Sequence, residues 1–343
     1  MTPPGRSGYA MPAEWVPHRA TWIAWPHNKE DWPGKFEPIA WAYGEIVRVL
    51  SRNERVAILV QNPKARSAAK AVLKQVGIDL KQVDFHFIPT DRVWTRDSGA
   101  IFVTNSSGAK VATHWKFNGW AKYKNHKRDD QVAPRMAKAL KLPEYPVLVG
   151  KREIVMEGGA IDVDGAGTLM ATEECLLDTV QARNPGLGRE GIEQVFADVL
   201  GIRRVVWLGK GIVGDDTHGH IDDLARFVAP GRVVLCREEN PKDENYSLLA
   251  ENRERLQSAK LEVIPLPMPT PVVFDGQRVP ASYANFYIAN GSVIVPTFND
   301  PKDRLALGIL ADCFPDREIV GIHCVDFVWG LGTLHCATQQ EPS

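Results

Sequence analysis

Apolar and polar positions along the chain fall into two alternating kinds of segment. Short runs rich in β-branched and apolar residues predict strands over 55–61, 84–89, 99–104, 111–116, 205–208, 225–236, 261–266, 286–296 and 319–323. Between many of them, apolar residues recur every three or four positions over 36–50, 65–76, 132–140, 246–259 and 304–314, the spacing of a helix with one buried face. Strand, helix and strand therefore alternate from one end of the chain to the other, which predicts an α/β architecture. The proline-rich stretch 265–271 is the best candidate for a boundary, but it is short and flanked by strand-like sequence, and it reads as a stiff connection within one domain over residues 1–343. No exact repeat is present, although the recurring mixed units are compatible with a degenerate one.

Composition narrows the function classes. Of 343 residues, 44% are hydrophobic and 24% charged, and 41 Lys and Arg nearly balance 42 Asp and Glu, so there is no overall field to gather nucleic acid or an anionic membrane. The basic residues Lys116, Lys122, Lys124 and Lys127 interleave with Trp120 and Tyr123, but Asp129 and Asp130 come immediately after; the segment reads as a loop with a solvated face. The start is polar, no apolar run reaches membrane-spanning length, and five irregularly placed cysteines make no disulfide framework, so a reducing cytoplasm is the expected setting. The expected partner is a small molecule, not nucleic acid or membrane, and a homodimer stays open.

Gly209 to Gly214 has the G-x-G-x-x-G spacing after a strand-like run, yet the next residues, Asp215 to His220, are acidic and polar and open no apolar helix, so a strand-to-loop turn is the better reading. His218, His220 and Asp222 invite three interpretations. In an extended segment they would share one face, as ligands of a catalytic zinc or as a metal-free set in which a histidine moves protons and Asp222 binds a cation; a polar loop with satisfied histidines is the third. Asp97 ends the run 92–97 beside Ser98 and Gly99, and Glu157 stands before Gly158 and Gly159, two places where small residues let a ligand approach the backbone. For Asp97 a turn cap or a pair with Arg96 is the plainer alternative. Converging carboxylates would match the planar donors of a guanidinium. Cys175, Cys236, Cys313 and Cys324 lie in apolar or helical surroundings and read as small buried hydrophobes. Cys336, after Gly330-Leu331-Gly332 and beside His335, reads either as a thiol nucleophile assembled from distant segments or as a buried thiol in a last strand.

Taken in order, these segments resemble the agmatine deiminase family, in the guanidine-modifying group that includes arginine and protein-arginine deiminases. The resemblance runs through Met11-Pro12-Ala13-Glu14-Trp15-Val16-Pro17-His18, Thr21-Trp22-Ile23-Ala24-Trp25-Pro26, Trp94-Thr95-Arg96-Asp97-Ser98-Gly99, Glu157-Gly158-Gly159, Thr172-Glu173-Glu174-Cys175-Leu176-Leu177, Asp215-Asp216-Thr217-His218-Gly219-His220-Ile221-Asp222 and His335-Cys336-Ala337-Thr338-Gln339-Gln340-Glu341-Pro342. It implies a five-bladed α/β propeller of pseudo-fivefold ββαβ-type repeats around a central channel. It also implies Cys336 as nucleophile, His220 as proton-transfer residue, Asp97 and Asp222 as the carboxylates that grip the guanidinium, Glu157 as an acidic residue of the same site, and Trp94 as a substrate contact. His218 becomes a neighbour of the site, and neither metal nor organic cofactor is needed. The implied reaction is hydrolysis of agmatine to N-carbamoylputrescine and ammonia, which would serve putrescine and polyamine synthesis, agmatine catabolism or detoxification. Free or peptidyl arginine is the alternative substrate; a zinc hydrolase on His218, His220 and Asp222, or a noncatalytic guanidine-binding protein, is the alternative of another class. The chain departs from the family at Gly119 to His126, at Gly330 to Leu334 and at Asp162, segments that would shape the channel.

Overall fold

A computed structural model describes residues 2–343. The strands form five sheets of three or four strands, with two small hairpins beside them. One connection scheme recurs in all five larger sheets: two antiparallel strands, then a helix, then a strand parallel to the second. Ile101–Thr104 pairs antiparallel with Lys110–His114, and after the helix Val132–Leu140 the strand Glu144–Pro146 joins in parallel. Asp162–Val163 and Thr168–Thr172 are followed by Gly188–Leu200 and Arg204–Leu208. Ala225–Ala229 and Arg232–Arg237 precede Asn245–Ser258 and Glu262–Pro267. Tyr287–Ala289 and Ser292–Thr297 precede Pro301–Cys313 and Glu318–His323. The fifth sheet joins distant parts of the chain: Gln339–Pro342 runs antiparallel to His18–Ala24, and Ile39–Leu50 then leads to Arg55–Leu59, with Pro63–Gln75 and Val83–His86 extending the sheet.

Local chemistry accounts for the boundaries. Asn62 accepts from the amide of Ala65 and Pro63 opens the helix Pro63–Gln75. Asp300 and Asp303 close a reciprocal capping box at the start of Pro301–Cys313. The runs predicted over 225–236 and 286–296 are each two strands, reversed at Gly231 and Gly291 in the left-handed region, with φ of 74° and 70°. The helix Gly188–Leu200 falls outside the helices predicted from the sequence, although Ile192, Val195, Phe196 and Val199 carry the same helical spacing and are buried. Pro265 and Pro267 lie on the outer strand of their sheet, where a missing amide costs no ladder bond.

The repeat sets the position of the functional side chains. In each of the five units, the segment leading into the first antiparallel strand delivers a buried polar or thiol side chain: Asp97, Glu157, His220 with Asp222, Asn285 and Cys336. No helix among the described residues is long and apolar enough to cross a membrane.

Candidate functional site

Cys336 is 6% exposed and stands at the base of a narrow cleft walled by Trp94, Trp120, Tyr123, Asp216 and Leu331. Its sulfur accepts from Asn285 Nδ2 at 3.2 Å and lies 3.7 Å from Asp222 Oδ2. Burial, and then the charges of Asp222, Asp223 and Asp97, push its pKa well above the ordinary thiol value. In the unliganded protein the thiol is therefore protonated, and a cation entering among those carboxylates favours the thiolate.

Three of the predicted residues converge around the space beside this sulfur. His220 Nδ1 is 3.9 Å from Asp97 Oδ1 and 4.0 Å from Asp222 Oδ1, while Nε2 faces Glu157 Oε2 at 3.6 Å. These distances exceed hydrogen-bond length, so the attraction is Coulombic. Burial alone would depress the His220 pKa, but Asp97, with Cys175 and Glu157 close by, lifts it well above the usual imidazole value. Asp97 sits in a single helical turn, Thr95–Ser98, where its Oδ2 accepts from Trp120 Nε1 at 2.9 Å and its Oδ1 from the Gly159 amide at 3.1 Å. Burial, countered by His220 and reinforced by Asp222 and Glu157, raises it to about 6. Arg96 does not pair with Asp97; its guanidinium goes to Glu14 at 3.2 Å and Gln340 at 2.7 Å.

Glu157 is paired with Arg183, whose Nε lies 3.1 and 3.3 Å from its two oxygens. Burial would raise its pKa, but Arg183 and His220 hold it below the ordinary carboxylate value. Its charge is thus engaged on the side of His220 away from Asp97 and Asp222. The two glycines that come next are required by close approach: a Cβ on Gly158 would meet the Arg96 carbonyl oxygen at 2.3 Å, and one on Gly159 would meet His220 Nδ1 at 2.6 Å and Asp97 Oδ1 at 2.9 Å. Gly159 is the floor of the site, and a methyl group there would fill the space between the imidazole and the carboxylates.

The structure corrects three readings of the sequence. The H-x-H-x-D segment is not extended: His218 has φ of 67°, Gly219 φ of 91°, and Ile221–Asp223 forms a 3-10 turn. His220 and Asp222 come together, while His218 lies 3.5 Å from Asp178, so His218, His220 and Asp222 do not make one ligand face. The loop over 116–127 is a solvated face only in part: Lys122, Lys124 and Lys127 are exposed, but the aromatic residues of the loop are not free. Gly119, Trp120 and Ala121 all have φ between 55° and 68°, a left-handed turn that drives Trp120 inward onto Asp97, and Tyr123 donates to Asp216 at 2.6 Å. Cys175 is buried, but its sulfur lies within 4.8 Å of ligand atoms on Glu157 and His220, so it borders the site.

Two contributors lie outside the site residues expected from the sequence. Asn285 accepts from Thr333 Oγ1 at 2.7 Å and from the His335 amide at 3.0 Å, and donates to Asp223 Oδ1 at 3.0 Å as well as to the Cys336 sulfur. It fixes the turn that carries the thiol. Asp215 accepts from the amides of Thr217, Gly219 and His220 at 2.8, 2.8 and 2.9 Å, and so shapes the loop that presents the imidazole. An asparagine before a strand carries no chemical signature; only its matching place in the repeat gives it away.

The model of the Porphyromonas-type peptidyl-arginine deiminase family matches residues 10–342. An agmatine deiminase of Pseudomonas fluorescens is 34% identical over 369 residues, covering 99% of this chain and 97% of its own. Among solved structures, an agmatine deiminase of Enterococcus faecalis superposes with a TM-score of 0.91 at 31% identity, covering 100% of this chain and 98% of its own. A substrate-bound agmatine deiminase of C. jejuni gives 0.88 at 29% identity, covering 98% and 96%. Matched over nearly its whole length and sharing their mixed α/β fold, the chain belongs to the agmatine deiminase family of guanidine-modifying enzymes.

Proposed function

We propose that the protein is a cysteine hydrolase that converts agmatine and water to N-carbamoylputrescine and ammonia. The observation that carries this reading is the pair Asp97 and Asp222, buried carboxylates set about the Gly159 floor within reach of the Cys336 sulfur. A planar guanidinium can hydrogen-bond to both and present its carbon to sulfur, whereas an ammonium has no such planar array. Asp97 and Asp222 grip the substrate, Glu157 holds His220, and Trp94 forms part of the wall along which the substrate chain lies.

Binding of the cation offsets the carboxylate field and favours the thiolate; the Cys336 thiol loses its proton to solvent as the substrate enters, and the thiolate attacks the guanidinium carbon. His220, cationic in this surrounding, gives a proton to the departing nitrogen; the C–N bond breaks, ammonia leaves, and an amidino-thioether remains on Cys336. The neutral imidazole then takes a proton from water as its oxygen attacks the same carbon. Cleavage of the C–S bond, with the remaining hydroxyl proton passing to the departing sulfur, returns the thiol and the His220 imidazolium and releases the urea product. Each step uses residues of this chain and no further group.

The recurring unit, with at least one site residue leading into each first strand, supports a five-bladed pseudo-symmetric propeller closed around the site as one catalytic domain. The five cysteines are unpaired, which suits a reducing cytoplasm. Incubation with agmatine, free arginine and an arginine peptide, with ammonia and product mass as readouts, tests the function. Release of ammonia with N-carbamoylputrescine from agmatine is expected, lost by about a thousandfold or more in Cys336→Ser. Turnover of arginine and not agmatine would overturn the substrate; undiminished turnover in Cys336→Ser would overturn the mechanism.

A further inference from the structure

One buried ionisable side chain at the site has no part in the proposed deiminase chemistry. His335 is 2% exposed, and its ring is held at both ends: Nδ1 lies 2.7 Å from Asp222 Oδ2 and Nε2 lies 2.8 Å from Glu14 Oε2. Ionised carboxylates only accept hydrogen bonds, so each contact draws a proton from the ring. Glu14 has no proton to give, because its Oε1 already accepts from Arg226 Nη2 at 2.9 Å and the Ile288 amide at 2.8 Å, and its Oε2 also accepts from Arg96 Nη2 at 3.2 Å. Burial opposes its charge, but Arg226, His335 and Arg96 keep it well below the usual carboxylate range. At the other end, Asp222 Oδ1 is buried and has no hydrogen-bond partner among the described residues.

We infer that His335 is a positioning residue for the reaction: held as an imidazolium between Glu14 and Asp222, it occupies one oxygen of Asp222 and leaves the other turned toward the substrate guanidinium. This rests on the deiminase reading of the site. The arrangement alternates in charge from Arg226 and Arg96 through Glu14 and His335 to Asp222, and the substrate cation completes it. Burial would otherwise raise the Asp222 pKa; the His335 hydrogen bond and charge, with His220 and Arg226, bring it below its ordinary value. Asp222 also faces His220 at 4.0 Å and the Cys336 sulfur at 3.7 Å, with Asp223 and Asp97 near by. Around His335 stand Asp222, Glu14, Arg96 and the Tyr287 ring at 6.5 Å, and Asp162 is close enough to feel its charge.

Without the His335 donor, burial and the neighbouring carboxylates act on Asp222 against only His220 and Arg226, so it takes up a proton at higher pH and weakens its hold on the guanidinium. The acid limb of kcat/KM for agmatine is therefore expected to move to higher pH in His335→Leu, with kcat/KM reduced about a hundredfold. His335→Asn, which keeps a donor near the Nδ1 position, should stay within about tenfold of the wild type and show a smaller move. Glu14→Gln, which removes the charge that holds the imidazolium, should move the limb in the same direction without touching Asp222. Independently of turnover, nitrogen-15 NMR of ring-labelled histidine in the wild type, assigned against His335→Asn, should show two ring N–H protons on His335 at the pH of the assay. A single ring proton, or an acid limb unmoved in folded His335→Leu and Glu14→Gln alike, overturns the inference. Failure of the wild type on agmatine would instead count against the deiminase reading, and the ring-proton count would still decide the role of His335.

Discussion

The base of the cleft and its mouth treat charge in opposite ways. At the base, Asp97, Asp222 and His220 are buried, and Asp222 Oδ1 and both His220 nitrogens lack hydrogen-bond partners among the described residues. At the mouth, Asp216 is already occupied by the Tyr123 hydroxyl and by the ammonium of the exposed Lys122. Unpartnered buried charge is costly, and a ligand that meets it offsets that cost. Exposed, mutually paired charge costs little and tolerates change. Chemistry is thus fixed at the base, and two of the three segments expected from the sequence to depart from the family pattern border the cleft, the 119–126 loop with its left-handed turn and the segment that bears Leu331 at φ of 66°, whereas the third, Asp162, is buried beside Arg226.

The largest expected effect comes from filling the base. Gly159→Ala places a methyl group against His220 and Asp97, and should lower kcat/KM for agmatine about a hundredfold or more while the protein remains folded; activity within a few-fold of the wild type would show that the floor has room to spare. Next is the pH profile. Asp97, raised by burial to about 6, must be ionised to hold a cation, so kcat/KM should fall about tenfold for each pH unit below that value. A profile flat through this region would mean that Asp97 is not the limiting carboxylate. The smallest effect belongs to the mouth. Lys122→Ala frees the Asp216 carboxylate and removes a cation from the entrance, so KM for agmatine should fall, by less than about fivefold, with kcat unchanged. A large loss of kcat would erase the distinction between the two ends.

The fold was legible wherever one local rule acted alone. Helix periodicity marked Val132–Leu140 from first to last residue, and β-branched runs marked the strands Arg55–Leu59 and Glu318–His323 to within two residues. Hairpins such as that turned at Asn290 and Gly291 merged into single runs because both arms are apolar and buried. The strand Gln339–Pro342 has an ordinary polar sequence, and it is a strand because His18–Ala24 is there to pair with it. At the site, Asp97, Glu157, His220, Asp222 and Cys336 could be named from residue type beside glycines and from the family's order of segments. Asn285 could not, since its task is to hold the backbone of another segment.

By itself, the sequence determined which chemical groups this protein owns: a late thiol, an imidazole and several carboxylates placed next to small residues, on a chain whose patterns specify α/β units. Tertiary structure decided which of them meet. It sent His218 away to Asp178, brought Trp120 inward to Asp97, and gave Glu157 a guanidinium partner in Arg183. It also stretched His335 between Asp222 and Glu14, residues far apart in the chain. The reason is physical: periodicity and turn chemistry act over a few residues, whereas the pairing and desolvation of charge depend on distances that exist only once the five units have packed together.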